Sequence, residues 1–111
     1  MTARLSLTTG AAIAGAADTA EFLLQRPDLF RTRPGRAASS VAALVLWASL
    51  GTRASWEGPR ASAATCAMAA ALLAANLGLL AIHLRVRVAG PRVFVGAIAS
   101  AVALADTLRR R

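Results

Sequence analysis

From Ala61 to Leu84 the chain runs 24 residues without a formally charged side chain, closed by Arg60 on one side and Arg85 on the other. A helix rises 1.5 Å per residue, and about 20 apolar residues are needed to cross the hydrocarbon core of a bilayer. The run is long enough to span. Lipid is therefore the expected solvent for much of this chain.

At 111 residues there is room for one domain. Hydrophobic residues make up 57% of the chain and charged residues 16%, unusual proportions for a water-soluble domain of this size. The net charge of +8 comes from 13 arginines, five acids and no lysine. Such a balance ordinarily raises nucleic acid as a partner. Here the arginines sit in short clusters between apolar runs and aromatic residues are few. They read as membrane-flanking arginines, and no nucleic-acid partner is expected. The absence of lysine beside heavy alanine use matches a GC-rich coding bias and carries no mechanism. The single cysteine, Cys66, has no partner for an intrachain disulfide and reads as a small buried apolar residue. Arg4, the mildly apolar stretch 5–17 and Ala14-Gly15-Ala16 loosely resemble a secretory signal. Thr8, Thr9 and Gly10 weaken that stretch, and it is read as part of the mature protein.

Four apolar segments emerge, at about 5–24, 37–52, 61–84 and 93–108. Pro27 and Pro34 mark irregular backbone after the first, since proline lacks an amide donor and biases the preceding residue away from helix. Arg53 to Arg60, with Gly58 and Pro59, forms the second loop; Arg85 to Arg92, with Gly90-Pro91, reads as a tight turn between antiparallel helices. Trp47 and Trp56 are of the type that anchors at a membrane interface. A brief alternation at Leu84 to Val88 is too short to outweigh its helical context. The expected fold is all-α: one integral membrane domain of four short antiparallel helices. The first segment carries Asp18 and Glu21, so it is either a span or an amphipathic helix lying along the interface, which leaves three spans; the span is preferred. In the four-span arrangement seven arginines share one side and six the other, so orientation is scarcely encoded.

Asp18 and Glu21 are three apart and project from one helix face, near the small residues Gly10, Ala11 and Ala14. A buried acid there is a candidate proton or cation site, or an arginine's partner. The plainer reading places both acids in the last turns, solvated or paired with Arg26. Ser62, Thr65, Asn76 and His83 follow at spacings of 3, 11 and 7, close to whole helical turns, with Ala69 between them. That stripe is expected to face the protein, with Asn76 making interhelical hydrogen bonds. His83 has no second histidine or cysteine with which to build a metal site, and the serines have no evident base. No metal, cofactor or enzymatic activity is expected. Arg31, Arg33, Arg36, Arg85, Arg87, Arg109, Arg110 and Arg111 read as anionic-lipid contacts. Asp106 makes i, i+3 and i, i+4 pairs with Arg109 and Arg110. Small-xxx-small spacing recurs in the fourth segment (Gly96 to Ser100, Ala99 to Ala103), as chance allows in an alanine-rich helix.

The plan of about a hundred residues, four apolar segments and little charge bias resembles that of the small multidrug transporters, which pack as oppositely inserted dimers. The likeness is one of architecture: their characteristic segments are not found here, and the acids come late in the first segment. The expected function is that of a non-enzymatic accessory or structural subunit of a larger membrane complex, in a bacterial inner membrane. Its partners are lipids and other membrane subunits, or further copies of itself. The alternative is a small homo-oligomeric, dual-topology transporter or channel with a membrane-embedded acid.

Overall fold

The computed structural model describes residues 6–57, 60–85 and 91–110. Among these the chain is all helical: α1 (Leu7–Gln25), α2 (Leu29–Thr32), α3 (Pro34–Trp56), α4 (Ala63–Arg85) and α5 (Pro91–Arg109). The four long helices form an antiparallel bundle. α1 packs against α3 and α5, α4 against α5 and less extensively α3, so α1 and α4 lie across the bundle from each other.

Local chemistry sets the helix ends. Ser6 holds extended backbone and its Oγ accepts the Thr9 amide at 3.1 Å, capping α1. Ser62 does the same for α4, accepting the Thr65 amide at 3.2 Å. Pro34 occupies the first helical position of α3, and α5 starts at Pro91. Proline suits that position because the amide it lacks has no helical acceptor there and its φ is already helical. The second apolar segment is therefore longer than its hydropathy suggests. It starts at Pro34 instead of residue 37 and continues through Arg53 to Trp56, giving 23 residues and about 35 Å. The first loop also contains a turn of helix, α2, which anchors on buried Leu29. The alternation at 84–88 and Gly90 fall largely outside the described residues.

The interior is built from small side chains: Ala11 and Ala12 of α1, Ala69 of α4, and Ala99 and Ala103 of α5, around Trp47, Leu50 and Leu72. Trp47 is not an interfacial anchor. It is 2% exposed and lies against the backbone at Gly15, where even a methyl group would overlap the indole ring. Only a glycine on α1 admits so large a ring between two helices this close. Trp56, in contrast, is exposed at the end of α3. Large apolar side chains point outward instead, among them Ile13, Leu24, Val45, Ile82 and Ile98. Two helices, α3 and α4, are long and apolar enough to cross a membrane; 22% of the residues in the apolar stretch of each are buried.

Candidate functional site

The end of the bundle where α1 begins, α3 meets α4 and α5 finishes is organised by two carboxylates. Asp106, with its side chain 2% exposed, reaches from the last turn of α5 to the first turn of α1. Its Oδ2 accepts the Thr8 backbone N–H at 3.2 Å and the Thr8 hydroxyl at 2.6 Å. Arg109 Nη2 donates to Oδ1 at 2.7 Å and Arg110 Nε to Oδ2 at 3.1 Å. Arg110 Nη2 also reaches Thr8 Oγ1 at 3.2 Å. The carboxylate thus sits at the positive end of the α1 dipole with two guanidinium groups around it.

Glu57 plays the corresponding part for α4. Its Oε2 accepts the Thr65 hydroxyl at 2.7 Å and the Ser62 amide at 3.3 Å, while Oε1 is buried with no partner among the described residues. Burial pushes this carboxyl up, but the hydrogen bonds from Thr65 and Ser62, with Arg53 nearby, outweigh it and hold the pKa below its ordinary value. The two ends share a Ser-x-x-Thr pattern, Ser6 to Thr9 and Ser62 to Thr65, in which the hydroxyls of each pair lie 3.1 and 3.0 Å apart. The Ala61 amide donates to the Arg110 carbonyl at 3.2 Å and ties the two caps together.

The pairs of Asp106 with Arg109 and Arg110 were legible in the sequence; its contact with Thr8 was not. A signal existed. An acid in a helix's last turn faces the negative end of its own dipole, and it is favourable there only beside another helix's N-terminus. With four antiparallel helices, the N-termini of both α1 and α4 lie at that end, and only the packing of α5 against α1 selects Thr8.

The other candidates are dispersed. Asp18 is half-buried on α1; Glu21 is exposed and its Oε1 accepts Gln25 Nε2 at 3.1 Å. On α4, Thr65 and Ala69 are buried, and Ser62, Asn76 and His83 half-buried, along one stripe. Asn76 does not make the expected interhelical hydrogen bond through its amide nitrogen. Nδ2 donates to the Leu72 carbonyl of its own helix at 2.7 Å, and Oδ1 lies against Gly96, where a Cβ on α5 would collide with it. Because Gly96 lacks a side chain, the Asn76 amide oxygen packs against the α5 backbone there. His83 Nδ1 is 2.8 Å from the Leu79 carbonyl. Asp18 is on a helix across the bundle from Asn76 and His83, so the fold does not gather these three. Arg31, Arg33, Arg36 and Arg85 collect at one end of the bundle, with Arg109 and Arg110 at the other. Arg87 and Arg111 lie outside the described residues.

Set against known protein families, curated proteins and solved structures, the chain matches none of them.

Proposed function

We propose that this chain is a four-span protein of a bacterial inner membrane that serves as a non-enzymatic accessory subunit by docking against a partner's transmembrane helix. One observation carries the membrane reading. Apart from Trp47, Leu50, Leu72 and Leu29, the buried side chains are mostly alanine, threonine and serine, while many leucine, isoleucine, valine and phenylalanine side chains are displayed on the outside. In water that distribution exposes apolar surface well beyond what a monomer tolerates; in lipid it costs nothing. α5 carries three charged residues, against two each in α1 and α3 and one in α4. Asp106 is neutralised at one bundle end, and Glu21 and Arg109 lie near helix ends, where charge reaches water.

Support for the docking role comes from an open apolar groove of about 680 Å³ between α1 and α5. Leu7, Gly10 and Ala14 form one wall, Val95, Ile98 and Val102 the other. Small residues beside β-branched ones suit a close helix approach in lipid. Among the described residues, nothing outside the adjoining backbone of α1 lies within 4 Å of a Cβ at Gly10, so a side chain there would enter the groove.

The test is purification in mild detergent from membranes washed at alkaline pH. The wild-type chain is expected to stay in the membrane pellet and then to migrate with a partner. Gly10→Leu is expected to stay in membranes but to lose that partner. A chain that runs alone as a stable monomer overturns the subunit role. A self-associated dimer that Gly10→Leu dissociates would favour the homo-oligomeric transporter instead.

A further inference from the structure

At the end of the bundle opposite Asp106, an open cavity of about 260 Å³ is lined by Phe22, Arg26, Leu29, Arg33 and Arg36. Three arginines therefore line one concave space. Leu29, 2% exposed, gives it an apolar floor. The Arg36 guanidinium carbon sits 5.4 Å from the centroid of the Phe22 ring, so a cation–π contact holds that side chain in a defined place.

The charge in this cavity is poorly compensated. Arg26 meets Asp28 only at 3.4 and 3.5 Å, longer than the roughly 2.7–2.9 Å of a good charge-assisted bond. Both partners are about half exposed, so the pair holds Arg26 weakly. Arg33 and Arg36 have no carboxylate partner among the described residues. Three like charges drawn toward one space repel, and an anion among them relieves that repulsion. Guanidinium groups present paired donors that match the oxygens of a phosphate better than a point cation does. The same stretch displays exposed Leu24 and Phe30, apolar side chains fit to lie beside acyl chains.

We propose that Arg26, Arg33 and Arg36 form a discrete binding site for a phosphate oxyanion, which in a bilayer is supplied by the headgroup of an anionic phospholipid. This rests on the membrane reading and narrows it: of the basic residues in the first loop, Arg31 does not line the cavity and takes no part. The Arg33 side chain makes no capping bond to α3, so replacing it leaves the helix start intact.

The experiment titrates the full chain, in a neutral detergent, with short-chain phosphatidylglycerol, short-chain phosphatidylcholine or inorganic phosphate, followed by calorimetry. Saturable binding of phosphatidylglycerol is expected. Arg33→Gln with Arg36→Gln should weaken it about tenfold or more, and Arg31→Gln with Arg60→Gln, which removes the same charge, should leave it nearly unchanged. Inorganic phosphate binding as tightly as phosphatidylglycerol would keep the site but make its source a free ion. Equal weakening by both double variants, or no saturable binding of either phosphate, overturns the site. Circular dichroism of the variants separates these outcomes from unfolding. The membrane reading has its own failure, a wild-type chain released from the membrane pellet by alkaline washing.

Discussion

At Gly15 a single hydrogen atom decides how α1 meets α3, because the Trp47 indole occupies the space a Cβ would take. Gly15→Ala must therefore displace an aromatic ring that is fully packed, and overpacking of this kind costs about 1–3 kcal/mol. Trp47→Leu alone leaves a cavity and is expected to cost somewhat more, about 3 kcal/mol. Combined, the two changes compensate in part, since the added methyl fills space the smaller side chain vacates. Thermal unfolding in detergent checks this: the double variant should be more stable than the sum of the single losses, and strict additivity would show that the contact is not the constraint. Glycine at 15 and tryptophan at 47 are both plain in the sequence. Their meeting was not legible, because nothing local sets the rotation of one helix against another. Trp47 read as an interfacial anchor for a second reason: its position near the middle of a 23-residue helix became apparent only once α3 was seen to run from Pro34 to Trp56.

Two helix N-termini, each capped by a serine and covered by a carboxylate, dominate the element scale. Removing the cap hydroxyl at Ser62 is expected to cost about 1 kcal/mol, and unfolding temperature measured on Ser62→Ala reads it directly. Glu57 adds a pH dependence whose sign follows from its environment. Its pKa in the folded chain lies below the ordinary value of a glutamate, so the folded state favours the ionised form. The resulting stabilisation is present above the unfolded pKa and is lost as pH falls through the lower, folded value. Glu57→Gln should therefore be less stable than the wild type at neutral pH, with the gap closing on acidification. A gap independent of pH would mean that the carboxylate acts through shape alone. From the sequence, Ser62 and Thr65 read as part of an inward-facing stripe, and their part in a helix cap came only with the structure. The acid above Thr8 was not legible, because Asp106 is 98 residues away in the chain.

For the whole molecule, the antiparallel bundle separates the first loop from the C-terminus by three long helices, α3, α4 and α5. A reporter inserted beside Arg31 and another fused after the terminal arginine are expected on opposite sides of the membrane. Agreement in sidedness would remove one of those crossings, with α5 the weakest candidate. The near-even split of arginines between the two sides explains why orientation was not legible: the positive-inside rule needs a difference. The fold itself was legible to about helix number and order, since uninterrupted apolar length and proline positions are local properties. The short α2 escaped because a single turn between two prolines leaves no periodicity to detect.

Sequence alone determined that the chain is helical, apolar over long stretches and bounded by arginine, since each of these follows from residues adjacent in the chain. Tertiary structure decided which side chains share a space: Trp47 with Gly15, Asp106 with Thr8, and Arg26 with Arg33 and Arg36 around one cavity. Those meetings depend on helix rotation and crossing, which the packing of small residues sets collectively and no single stretch encodes.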